Sequence, residues 1–258
     1  MSVSSTTLDV KGRPTEIVSV GTGEPLVFLH GGGIMEGFDF LQAAGDQGFR
    51  VIAPLLPGYG ATELDPPVAS RDALADHMQD VLDALGIERT VLVGHSLGGW
   101  RAAGFAARYP ERVEALILAA PLGMEVPGHP LANLAPLSLP ERLVALTNDP
   151  SIWEGRIPDG PDPAFQAARA REMASMSRFI PGPSDPDIDG IVSRLAAPTQ
   201  LLWGDDDGII PFEHSAAWER AIPGAELEIF PSAGHMLFAE RPEAMESIRA
   251  FVDSQKEA

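Results

Sequence analysis

A chain of 258 residues, 45% of them hydrophobic and 21% charged, is long enough for one large domain with a deep core and too apolar to be a disordered segment. Its formal net charge of −19 sets it against phosphate backbones and anionic membrane surfaces, so neither nucleic acid nor membrane is an expected partner. With no cysteine there is no disulfide, thiol nucleophile or thiolate-bound metal. Met1 to Ser5 shows no basic region before an apolar run, and no stretch of about twenty apolar residues occurs. The expectation is a cytoplasmic protein with neither signal peptide nor membrane span.

Thr6 to Val10 and Thr15 to Val20 alternate in polarity around Lys11-Gly12-Arg13-Pro14, the pattern of an antiparallel opening hairpin. Leu26 to Leu29 is a continuous apolar run, hence a central strand, and it ends in His30-Gly31-Gly32-Gly33. Three glycines after a buried strand mean a backbone that approaches something closely. A dinucleotide loop would need G-x-G-x-x-G and a phosphate loop G-K-[ST], and neither is present here or at Gly21 to Gly23. The remaining functional reading is an oxyanion loop with a backbone N–H near Gly32, braced by His30; a merely flexible connection is the alternative.

Phe49 to Leu55 reads as a strand ended by the turn Pro57-Gly58-Tyr59-Gly60, and Ser70 to Leu85 as a helix with Ser70 as N-cap and Gly86 past its end. Val91 to Val93 is a strand buried on both faces, and Trp100 to Tyr109, rich in Ala and Arg, is the helix after it. Between them stands Gly94-x-Ser96-x-Gly98. Small residues on either side let strand and helix pass closely, the bend lifts the Ser96 hydroxyl clear of the backbone, and the N–H of Leu97 points at whatever that hydroxyl attacks. Ser96 is the candidate nucleophile, against the alternative of an ordinary glycine-rich turn.

Val113 to Ala119 is one more buried strand, so strands and helices alternate, which means a mostly parallel α/β sheet. Residues 121–190 hold half of the chain's prolines and only broken helical patterns, notably Leu139 to Leu146 and Pro163 to Arg178. They read as a cap inserted between the core segments 1–120 and 191–258. Its apolar residues (Leu122, Met124, Trp153, Phe165, Met173, Met176, Phe179) exceed what short exposed helices need. Most would glue the cap to the core, while Trp153, Met176 and Phe179, with Gly33 and Met236, are the expected substrate contacts. From Ile191 the α/β pattern returns: Thr199 to Trp203 is a strand ending in Gly204-Asp205-Asp206-Asp207, Glu213 to Arg220 a helix, Glu226 to Phe230 a strand followed by Ala233-Gly234-His235, and Pro242 to Ser254 a closing amphipathic helix.

A serine hydroxyl needs a base near neutral pH, and His235 is the candidate; an imidazole in turn needs a fixed carboxylate, for which Asp205, Asp206 and Asp207 compete. His77, His129 and His214 stand in polar surroundings and read as surface residues. No H-E-x-x-H or clustered ligand spacing appears, so no metal is expected.

Over nearly its whole length the chain resembles the capped branch of the α/β-hydrolase family. The matching motifs are His30-Gly31-Gly32, Gly94-His95-Ser96-Leu97-Gly98, Gly204-Asp205-Asp206-Asp207 with Ile210-Pro211, and Gly234-His235, in that order. The resemblance implies an α/β-hydrolase fold, a mostly parallel eight-stranded sheet flanked by helices with an inserted helical cap. It implies a triad of Ser96, Asp207 and His235, an oxyanion hole of the Gly32 and Leu97 amides, no cofactor, and a small-molecule substrate. Family spacing selects Asp207 over its neighbours, and His95 is common in the family's elbow, where it is structural. Carbon–carbon bond hydrolases acting on ring-cleavage products usually carry Asn before the nucleophile and Trp after the histidine, where His95 and Met236 stand here. A carboxylic ester hydrolase therefore ranks first, carbon–carbon hydrolysis second and cofactor-free haloperoxidase activity third, with a non-catalytic ligand receptor as the alternative from another class.

Overall fold

The computed structural model describes residues 2–32, 41–63, 70–134, 136–158, 160–179, 182 and 184–257. Among these, eight strands form one sheet: β1 (Ser4–Val10), β2 (Arg13–Gly21), β3 (Glu24–Leu29), β4 (Phe49–Pro54), β5 (Thr90–His95), β6 (Val113–Ala119), β7 (Thr199–Gly204) and β8 (Glu226–Phe230). Their spatial order is β1-β2-β4-β3-β5-β6-β7-β8. β2 pairs antiparallel with both β1 and β4, and every pairing from β4 through β8 is parallel. The central strands are aliphatic because helices cover both their faces. Val93 lies in register with Phe28 on one side and Ile117 on the other, and all three are buried.

Nine α-helices are seen among the described residues: α1 (Gln42–Asp46), α2 (Arg71–Ala84), α3 (Leu97–Arg108), α4 (Leu139–Leu146), α5 (Pro163–Phe179), α6 (Ile188–Val192), α7 (Glu213–Ala221), α8 (Leu237–Glu240) and α9 (Ala244–Glu257). Ser70 caps α2 as expected, its hydroxyl accepting from the Ala73 N–H at 3.1 Å. Helix α3 starts three residues earlier than its Ala-rich run suggested, because Ser96 itself is the N-cap. Residues 120–198 contribute no strand among those described, in agreement with the proline-rich composition, and carry α4 to α6.

Two histidines expected at the surface are buried. His77 follows Leu74 by three positions and precedes Val81 by four, so it lies on the apolar face of α2 despite Asp76 and Asp80, with Nε2 3.3 Å from Thr15 Oγ1. His214 precedes the fully buried Trp218 by one helical turn, and its Nε2–H donates to the His129 carbonyl at 2.7 Å. Only His129 of the three keeps a half-exposed ring, 3.3 Å from Glu213.

The tightest crossing is that of α3 with β3 and β5. A Cβ on Gly98 would overlap the Leu29 carbonyl oxygen and come 2.7 Å from that of His30, and a Cβ on Gly94 would come 2.8 Å from Ala102 Cβ. Backbone cannot retreat as a flexible side chain can. Gly98→Ala is expected to lower the thermal midpoint by about 10 °C in a denaturation scan, the range for overpacking a dense core in a chain of this size, and an unshifted midpoint would show that α3 can move away.

Candidate active site

Ser96 sits at φ 56° and ψ −119°, a region that costs a non-glycine residue about 1–3 kcal/mol and is held only by its surroundings. Those surroundings are specific. The Ser96 N–H donates to the Ala119 carbonyl at 2.9 Å, and the Ser96 carbonyl accepts from Gly99, Trp100 and Leu122. The side chain is left partly exposed at the carboxyl end of β5, where the neighbouring strands also end. Leu97 opens α3, so its N–H is one of the four that helix geometry leaves without an intrahelical acceptor.

Gly31 passes directly over this bend, a Cβ there falling 3.3 Å from Ser96 Cβ. Gly32 follows, with room for a Cβ taken by Met176 Sδ from α5 and the Leu97 side chain 3.8 Å away. Gly31 and Gly32 are thus a close approach and not a loose connection. His30 braces it: Nδ1–H donates to the Gly31 carbonyl at 2.7 Å, while Nε2 accepts from the Leu56 N–H at 3.0 Å. Burial first, and then the charge of Arg101, lowers the His30 pKa to about 3, so the ring is neutral and fixed in one tautomer.

Of the three consecutive aspartates, only Asp207 reaches the histidine. Asp205 accepts from the Ser232 N–H at 2.6 Å and Asp206 from the Asn148 amide at 3.0 Å, both at the surface. Asp207 points inward: Oδ1 accepts from the Ile209 and Ile210 N–H groups at 2.8 and 2.9 Å, and Oδ2 lies 2.8 Å from His235 Nδ1. Burial alone would raise the Asp207 carboxyl, but the His235 charge and these three hydrogen bonds outweigh it and hold the group below the ordinary carboxylate range. The carboxylate is therefore ionised, and it accepts the hydrogen bond from His235 Nδ1–H. Trp203 braces the acid loop by donating to the Ile210 carbonyl at 3.1 Å.

His95 joins the halves. Its Nε2–H donates to the His235 backbone carbonyl at 2.8 Å, and the two rings lie 4.7 Å apart. Burial and the His235 charge lower its pKa to about 3, which makes it a neutral spacer between the elbow and the histidine loop.

The segment between β6 and β7 covers these loops. Ala145 lies against Gly208, the Met236 N–H donates to the Leu146 carbonyl at 3.0 Å, and Ala132 donates to the Ile209 carbonyl at 3.0 Å. Helix α5 docks through Ser175 on the Pro57 carbonyl and Arg171 on those of Gly58 and Gly60. The expected substrate contacts divide accordingly. Met176 touches the glycine loop and Met236 stands half-buried beside His235, while Phe179 is packed into the hydrophobic core and acts as glue. Trp153 is buried within the covering segment, and Gly33 lies outside the described residues. Among the described residues no group of three or more His, Asp or Glu is placed to hold a metal, and no helix is long and apolar enough to cross a membrane.

Sequence reasoning passed over Arg101. Its signal was a basic residue in the otherwise apolar helix stretch Trp100 to Ala107, and its side chain is only 7% exposed.

Residues 26–248 match the model of the alpha/beta hydrolase family, and the chain belongs to that family. A 2-hydroxy-6-oxo-6-phenylhexa-2,4-dienoate hydrolase of Burkholderia cepacia is 30% identical over 247 residues, covering 87% of this chain and 85% of that protein. Among solved structures, a serine hydrolase of the polyaromatic hydrocarbon-degrading bacterium Cycloclasticus zankles superposes with a TM-score of 0.76 at 22% identity, covering 98% of each chain. A naproxen esterase of Bacillus subtilis does so at 0.73 and 21%, covering 97% of this chain and 91% of that one. These two structural likenesses are likenesses of fold.

The neutral histidines have a consequence for stability. His30 and His95 titrate near 6.5 when unfolded and near 3 when folded, so between these values the unfolded chain binds protons that the folded chain refuses. Their contribution is intact above about pH 6.5 and is lost as pH falls, at about 1.4 kcal/mol per pH unit for each ring. Urea denaturation between about pH 6 and 4.5 is expected to show this slope, and His95→Asn to make it shallower by one ring's share. An unchanged slope in the variant would mean that His95 is not held neutral.

Proposed function

We propose that the protein is a serine hydrolase that cleaves a small, largely apolar carboxylic ester through an acyl-enzyme. The observation carrying this reading is the buried Asp207–His235 hydrogen bond, tied through His95 to a serine held at a strained strand-to-helix bend. In this scheme His235 Nε2 takes the Ser96 proton as the hydroxyl oxygen attacks the substrate carbonyl carbon, and Asp207 stabilises the imidazolium formed. The carbonyl electron pair moves to oxygen, where the N–H groups of Leu97 and Gly32 receive it. The tetrahedral intermediate collapses, the C–O bond breaks, and His235 returns the proton to the leaving alcohol. Water then repeats the sequence on the acyl-enzyme, releasing the acid and restoring Ser96. The segment 121–190 acts as a cap that walls the substrate from water, with Met176 and Met236 in contact with it and Trp153 further inside.

The Burkholderia cepacia relative favours a second reading, hydrolysis of a carbon–carbon bond next to a carbonyl, because its 30% identity spans most of both chains. The same residues serve that reaction, with carbon as the leaving group. His95 and Met236, which differ from the residues usual in such enzymes, support the ester reading.

A fluorophosphonate probe followed by peptide mapping is expected to label Ser96 in the wild type and to fail in Ser96→Ala and His235→Ala. Asp207→Asn should lower kcat on p-nitrophenyl esters by about 10⁴-fold while leaving the fold intact by circular dichroism. Retained turnover in Ser96→Ala would overturn the scheme. A rate on a vinylogous ring-cleavage product far above that on every ester would select the second reading, and one labelling event without sustained turnover of either would point to a receptor.

A further inference from the structure

We propose that Arg101 is the recognition group for a carboxylate on the substrate, so that the acyl compound hydrolysed at Ser96 carries an anionic group at its acyl end. The proposal rests on the hydrolase reading above and narrows it.

Arg101 lies one helical turn after Leu97, and therefore on the same face of α3 as the residue whose amide opens the oxyanion hole. It is buried, and its Nε and Nη1 atoms have no hydrogen-bond partner. Among the described residues no carboxylate pairs with it, although the chain holds 37 acidic side chains against 18 basic ones. The groups whose fields it shares are His30 and Tyr59, from the loops after β3 and β4. His30 is neutral, with both ring nitrogens already engaged at Gly31 and Leu56, and is no counter-ion.

Burial lowers the guanidinium pKa to about 10, which leaves it charged at neutral pH. An unpaired buried cation is among the most costly features a fold can hold, and one retained near His30, the brace of the Gly31 backbone that passes over Ser96, calls for an anion that arrives with the ligand. A carboxylate matches the planar fork of N–H donors, and the dry surroundings strengthen the pairing. The net charge of −19 repels anions at a distance, so a preference for an anionic substrate has to come from a local cation.

The test compares mono-p-nitrophenyl esters of succinate, glutarate and adipate with neutral p-nitrophenyl esters of equal chain length, on wild type, Arg101→Met and Arg101→Lys. Wild type is expected to favour the carboxylated ester at the best-fitting length. The ratio of kcat/KM between the two series should fall by about 100-fold in Arg101→Met and by less in Arg101→Lys. The thermal midpoint of Arg101→Met should rise, because an unpaired buried charge is gone. A wild type that prefers the neutral series, or a ratio unchanged in Arg101→Met, overturns the proposal. Should the methionine variant not fold, inhibition of the wild type by glutarate and by glutaramide decides: equal inhibition overturns the proposal, and stronger competitive inhibition by glutarate supports it. Fluorophosphonate labelling of the same samples separates the two levels. Labelled Ser96 with a flat ratio removes only the role of Arg101, and absent labelling with no turnover removes the hydrolase reading with it.

Discussion

Everything at the candidate site depends on how closely α3 crosses β3 and β5. The first turn of α3 rests on the carbonyl oxygens of Leu29 and His30, a separation that only glycine at position 98 allows. That contact fixes where Ser96 stands, sets the Leu97 N–H at a helix start, and brings the glycine run after β3 over the bend. The strain at Ser96 is held by backbone bonds to the end of β6, to Leu122 just beyond it and to the first turn of α3, so the hydroxyl is positioned by the sheet and the helix it starts.

A second layer of order comes from buried polar groups that are neutral or fully bonded. His30 and His95 give up their charge to stay inside, and each then uses its ring nitrogens to tie a loop in place. Asp207 keeps its charge because three donors surround it. Arg101 follows neither rule: it stays charged inside, and its Nε and Nη1 have no hydrogen-bond partner. The covering segment is fastened to the same loops through backbone carbonyls at Pro57, Gly58, Leu146 and Ile209, so its seating and the geometry of Asp207 and His235 are linked.

The family match and the eight-stranded sheet establish an α/β hydrolase, and they leave the reaction's leaving group open. Attack of an activated serine on a carbonyl is common to ester and carbon–carbon hydrolysis. In the proposed scheme the difference between them lies in what the covering segment and the residues beside the histidine accept, and there this chain combines a carbon–carbon hydrolase-like relative with His95 and Met236.

Much of the architecture was legible in the chain itself. Aliphatic runs such as Val91 to Val93 can only be strands buried on both faces, and a glycine-flanked serine between such a run and an Ala-rich helix can hardly be anything but a tight bend. Local pattern also marked the proline-rich segment as foreign to the sheet. Tertiary structure decided what depends on partners distant in sequence. Three adjacent aspartates are equivalent as letters, and only the return of β8 beside β7 brings His235 to Asp207 and not to its neighbours. His77 and His214 looked polar from their sequence neighbours, yet helical spacing turns them onto buried faces. Phe179 and Met176, three residues apart on one helix, part between core and glycine loop for the same reason, and Arg101 becomes a buried, unpaired charge only once α3 packs into the core.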